Sequence, residues 1–171
     1  MGGEPSIFEV LYCMAVKAPV TDRATFLDRL TTGVANHYGA VACAIHTDGS
    51  GYASGAAEPI RALAKLPRLD RARLETIEAR LVKVAIERGG MASCLDLDGE
   101  VAGNSSPDEF LRDRLGVVDI FAFPMAREES ASEVLVLYLG DESRVLRDPD
   151  MYALSSLGWL VVLAGEALEQ A

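Results

Sequence analysis

The chain is poor in the groups that usually announce chemistry. Among its 171 residues there are three cysteines, two histidines and one tryptophan. Cys13, Cys43 and Cys94 form no CxxC pair, and an odd number is a poor basis for a disulfide framework. Basic side chains are also in short supply: 16 Lys and Arg stand against 26 Asp and Glu, a formal net charge of −10. They are scattered rather than clustered, which argues against a nucleic-acid or anionic-membrane face. No apolar run approaches the roughly 18–20 residues that span a bilayer. The greasiest, W-L-V-V-L-A-G at 159–165, is too short. The N-terminus lacks a basic region before an apolar core, so no signal peptide is read and a cytoplasmic location is expected.

What is present is apolar patterning. Hydrophobic residues make up 50% of the chain, too many for a disordered one, and the length suits one domain burying about two-thirds of its unfolded surface. Residues 7–16 place Ile7, Leu11 and Met14 on one helical face, ending at Pro19. Thr21-Asp22 signals the N-cap of a second helix carrying Phe26, Leu27, Leu30 and Val34. A strand at 41–47, an Asp48-Gly49 turn and a weak strand at 52–56 follow. Asp70 begins a helix with a buried stripe of Leu74, Ile77, Leu81 and Val84. Arg71, Glu75, Glu78 and Arg80 are assigned outside that stripe, and Gly89-Gly90 stops the helix. Residues 91–97 read as a strand, and Ser106-Pro107-Asp108-Glu109 as a capping box opening a short helix that Gly116 ends. Two β-branched and aromatic strands, 118–125 and 133–139, flank a polar turn at 127–130. A helix starting at Asp148-Pro149-Asp150 then runs to the C-terminus. Hairpin strands beside segregated helices predict an α+β fold around a central antiparallel sheet, in one domain at 19–171 with residues 1–18 as a helical extension.

Several blocks carry a resemblance: Val41-Ala42-Cys43-Ala44-Ile45 as first strand, the Asp48-Gly49 turn, Phe123-Pro124-Met125, and a concluding group of Val136-Leu137-Tyr138-Leu139, Arg144, Leu146, Asp150, Leu154 and Leu157. In order and spacing they resemble the GAF domain over roughly residues 21–171. The resemblance implies helices on both sides of the sheet, the terminal helices together on one face, and a ligand pocket on the other. It also implies a sensory or regulatory role in a bacterial-type signal-transduction protein. The cyclic-nucleotide signature and the Cys-His pair that anchors bilin in phytochromes have no counterpart here. The resemblance therefore gives a role class and names no cofactor.

Candidate pocket residues are Cys43, Ile45, Cys94, Asp96, Asp119, Phe121, Phe123 and Tyr138, which a packed core could equally use. Asp119 interrupts an apolar strand, where an inward carboxylate needs a partner, although a solvated strand start explains it too. Cys94, Asp96 and Asp98 alternate and would share one face of a strand, but the plainer reading is core and turn, so no metal site is assigned. No G-x-S-x-G elbow or P-loop occurs, and no spacing sets His37 or His46 beside a nucleophile, so no catalytic residue is assigned. The 97–106 loop is placed where GAF domains close over their ligand. Ile7, Leu11, Met14, Met151, Leu154, Trp159 and Val162 make terminal apolar stripes broader than one sheet face requires, predicting a homodimer. The expected function is a sensor binding an unidentified small molecule and signalling through its terminal helices. The alternatives are a small redox or metal-dependent enzyme, such as a free methionine sulfoxide reductase, and a ligand-free dimerisation module.

Overall fold

A computed structural model describes residues 3, 6–16, 23–47, 51–53, 67–97, 107–125 and 133–157. In chain order the elements are α1 (Ile7–Val16), α2 (Arg23–Tyr38), β1 (Ala42–Thr47), β2 (Gly51–Ala53), α3 (Arg68–Arg88), β3 (Ala92–Ser93), α4 (Pro107–Phe110), β4 (Asp119–Pro124), β5 (Glu133–Leu139) and α5 (Asp148–Ser155). The order of helices and strands is the one the patterning predicts. The five strands form one antiparallel sheet in the order β2-β1-β5-β4-β3.

Both sheet faces are covered, and the central strand shows why. β5 reads E-V-L-V-L-Y-L, a continuous apolar run of the kind that suits a strand buried on two sides. Alternation sends Leu135, Leu137 and Leu139 to one face and Val134, Val136 and Tyr138 to the other. The leucine face packs with Cys43, Ile45 and Phe123 against Phe26, Leu27, Leu30 and Val34 of α2, Ile7 and Leu11 of α1, and Ala153 and Leu154 of α5. The terminal helices thus share one side of the sheet, and α1, expected as an extension, is packed into that layer. The opposite face carries Ala42, Ala92 and Ala122 beside Ile120 and Val136. There it meets Leu74, Ile77, Leu81, Val82 and Ala85 of α3, with Phe110 and Leu111 from α4 and the wide turn that continues it.

Three expectations are corrected. Glu78, placed among the outward charges, is 3% exposed. The inward row of α3 is 74, 77, 78, 81, 82 and 85, so Glu78 falls on the stripe and Val84 is only partly buried beside it. The strand expected at 91–97 pairs only at Ala92 and Ser93 before a 3₁₀ turn at Cys94–Asp96. Asp96 bends the chain there, because its carboxylate accepts the Ser93 N–H at 2.8 Å, a local bond that competes with strand pairing. Cys94 and Asp96 therefore do not alternate along one strand face.

Glycine stops α3: Gly89 has φ +65°, a left-handed conformation that costs glycine little. The Thr21-Asp22 cap, the Asp48-Gly49 turn, Ser106 of the expected capping box, the loop at 98–106, the 127–130 turn and the chain beyond 157 lie outside the described residues. Among the described residues no helix is long and apolar enough to cross a membrane.

Candidate functional site

The α3-covered face holds a polar cluster inside an apolar layer. Tyr138 on β5 is fully buried, and its hydroxyl donates a hydrogen bond to Oε1 of Glu78 on α3. The same hydroxyl oxygen lies 3.4 Å from Nε2 of His46 on β1. Register explains the meeting: Tyr138 sits opposite Ala42 and His46 opposite Val134, so the side chains approach each other across the positions of Ala44 and Val136. The small Ala44 and Ala122, at 1% and 0% exposure, flank Val136 on that face, so the longer Tyr138 side chain can lie over them.

The electrostatics of the cluster follow from burial. His46 is pushed down to a pKa of about 4 by desolvation, so its imidazole is neutral at neutral pH. The phenol has one proton and commits it to Glu78. The contact with His46 is then a hydrogen bond in the tautomer that carries Nε2–H. The order is imidazole to phenol to carboxyl, three elements linked through one oxygen. Such a chain holds an acceptor carboxyl, a polarised hydroxyl and a neutral imidazole together between the sheet and α3.

The residues expected to line a pocket separate onto two sides. Cys43, Ile45, Phe121 and Phe123 face the α1, α2 and α5 layer, where the two phenylalanine rings stack at 6.4 Å between centroids. Cys94 and Tyr138 lie on the α3 side. Asp96 sits at the edge, 3.0 Å from the Arg88 guanidinium, which with the Ser93 N–H holds its carboxyl below the usual range. Asp119 opens β4, half-buried, and its Oδ1 accepts the Ile120 N–H at 2.8 Å. That bond gives its carboxylate a local partner. Burial pushes the Cys43 thiol far up, away from nucleophilic use.

Of the residues expected to meet a second copy, Ile7, Leu11 and Leu154 are buried within the single chain, and Met151 packs against the same cluster. The side chain of Met14 and all of Trp159 and Val162 lie outside the described residues. Among the described residues, no three His, Cys, Asp or Glu side chains are grouped to hold a metal ion. The pairing of Glu78 with Tyr138 was not anticipated from sequence. Its signal was the i, i+4 relation of Leu74 to Glu78, a carboxyl at a core position of an otherwise regular stripe.

No family model and no curated protein matches the sequence. Solved structures do match in fold. One is a free methionine-R-sulfoxide reductase from Neisseria meningitidis in complex with its substrate, at a TM-score of 0.57 and 13% identity, covering 95% of this chain and 90% of that one. Another is the GAF domain of the cyanobacteriochrome TePixJ, at a TM-score of 0.52 and 13% identity, covering 99% and 100%. The chain has a GAF-like α+β fold.

Proposed function

We propose that this chain is a sensory or regulatory GAF-like domain that binds a small molecule between the sheet and α3, with Glu78, Tyr138 and His46 as its polar contacts. The observation that carries this reading is a carboxyl, a hydroxyl and an imidazole buried together at core positions. Burying such groups costs several kcal/mol unless they are paired, and a packing role alone would be met by leucine at position 78. Both structural neighbours support a fold that accepts ligands or serves sensing, one by its bound substrate and one as the GAF domain of a cyanobacteriochrome.

A reductase reading draws support from the first neighbour. Thiol reduction of a sulfoxide takes two thiols, which leave as a disulfide while the oxygen leaves as water. In this chain Cys43 and Cys94 lie on opposite faces of the sheet and Cys13 is exposed on α1, so the cysteines do not form a pair for that chemistry. The binding role is favoured on that ground.

The deciding experiment is native mass spectrometry of the purified full chain, with Glu78→Gln as the comparison. A co-purifying small molecule lost in the variant supports the site. A molecule retained by the variant, or none from a metabolite library that raises the melting temperature, would overturn it. Transmission through the terminal helices calls for a homodimer. Because Ile7, Leu11 and Leu154 are used internally, its contact would fall on outer positions such as Tyr152, which is 74% exposed. Light scattering should report two chains, and one chain after Tyr152→Asp.

A further inference from the structure

A recess stands on the side of the sheet away from α3, where the start of α1, the end of α2 and the approach to α5 converge. It is an open cleft of about 630 Å³, within the range of small-molecule sites. Hydrogen bonds tie its walls to one another. The Arg144 N–H donates to the Tyr38 carbonyl at 2.8 Å, and the Ser143 hydroxyl donates to the Gly39 carbonyl at 2.8 Å. At the other end the Tyr38 hydroxyl donates to Oδ1 of Asp150 at 2.9 Å. The segment between them arches over the end of α2 and carries Arg144, Val145 and Arg147 on the cleft wall.

The lining is unlike the rest of the molecule. The chain has a formal net charge of −10, yet the residues lining this cleft include Arg144 and Arg147 and one acidic residue, Asp150. That carboxylate is engaged on both oxygens, Oδ1 by the Tyr38 hydroxyl and Oδ2 by the Arg147 backbone N–H at 2.9 Å. Beside the arginines lie Phe8 at 53% exposure and Val145 at 82%, two of the few large apolar side chains left in water among the described residues. Arginine presents a fork that matches a carboxylate with two parallel hydrogen bonds.

We propose that this cleft binds a small amphipathic carboxylate, its head on Arg144 and Arg147 and its hydrocarbon body against Phe8 and Val145. The site is separate from the Glu78 cluster, since Tyr38 belongs to the layer on the opposite side of the sheet. It would let a second molecule report on the junction of α1, α2 and α5, the elements through which a terminal-helix signal would pass.

The test is calorimetric titration of the full chain with phenylbutyrate, with phenylbutanol and acetate as the probes that carry only the body or only the charge. The expected result is saturable binding of phenylbutyrate, about tenfold or more tighter than either control, which corresponds to about 1.4 kcal/mol. Arg147→Glu should abolish it, as should Val145→Asp, a change at an exposed position that keeps the fold intact. Glu78→Gln should bind phenylbutyrate like the parent, which separates this site from the one on the α3 side. Equal binding of phenylbutanol, or indifference to both cleft variants, would overturn the proposal. So would a chain that ignores all three probes but forms a dimer that Val145→Asp dissociates, since the cleft would then take an acidic surface of a second copy.

Discussion

Tyr138 and Glu78, 60 residues apart in sequence, are joined by a hydrogen bond that ties the central strand to the helix covering it. The bond sits where β5 and α3 otherwise meet through aliphatic side chains, so its partners depend on each other. Tyr138→Phe keeps the ring and removes the hydroxyl, leaving the buried Glu78 carboxyl and His46 imidazole without that contact. The expected cost is about 1–3 kcal/mol, that of removing one partner from a buried hydrogen bond, read as a lower urea midpoint at unchanged slope. Unchanged stability would mean that water or another side chain substitutes for the hydroxyl.

His46 makes stability depend on pH. Its folded pKa is about 4 against 6.5 in the unfolded chain. The unfolded state therefore takes up a proton as pH falls through 6.5, while the folded state stays neutral until about 4. The contribution is complete above 6.5 and is lost progressively below it. Between about pH 7.5 and about pH 5.5 the loss should be about 1 kcal/mol, and His46→Gln should flatten that part of the profile. A parent and variant with parallel profiles would show that His46 is not desolvated.

The three cysteines should separate by rate. Cys13 is exposed, whereas Cys43 and Cys94 are buried, and desolvation holds the Cys43 thiol protonated. A thiol reagent at neutral pH should label one equivalent rapidly and two more only as the chain unfolds. Two rapid equivalents would revive redox chemistry at Cys94.

Most of the fold was legible because its signals are local and redundant. The residues 133–139 alternate between two buried faces, and Gly89 and Gly116 end helices where the apolar spacing stops. The stop at Gly89-Gly90, the α1 boundaries and the order of the helices and strands among the described residues follow from such patterns. The candidate site was less legible. Glu78 looked like a surface charge because carboxylates usually are, and only its spacing from Leu74 marked it as inward. Cys43, Phe121 and Phe123 belong to odd-numbered positions that the register turns away from Tyr138, and no reading of single strands decides which face a pocket uses. Asp96 was assigned to a strand since a polar-apolar alternation looks the same whether the chain extends or its own side chain folds back on Ser93.

The edge of that turn gives another measurable quantity. Asp96 accepts the Ser93 N–H and meets Arg88 at 3.0 Å. Both contacts favour its charged form, holding the carboxyl below its ordinary range. Its contribution is present above the ordinary aspartate pKa and is lost as pH falls through the lower folded value. Asp96→Ala should cost about 1 kcal/mol, most of it through the lost cap. Arg88→Ala should cost less, because an ion pair this exposed is worth little. The reverse order in thermal melts would assign the larger share to the ion pair.

Gly140 tests the packing at the end of β5, where no charge is involved. A Cβ there would lie 2.9 Å from Cγ2 of Val41 and 3.1 Å from the Gly116 carbonyl oxygen. The valine methyl can turn aside, but the carbonyl belongs to the residue that closes the turn after α4 and cannot move without it. Gly140→Ala should therefore destabilise by about 1–3 kcal/mol, as overpacking does, despite the gain alanine brings by restricting the unfolded chain. Pairing it with Val41→Ala isolates the cause. If the side-chain clash dominates, the double variant recovers most of the loss in urea unfolding. If the carbonyl contact dominates, the two costs add. The second outcome is expected, because the Gly140 N–H is also held by the Ser143 hydroxyl at 2.9 Å, which leaves the backbone no direction in which to yield.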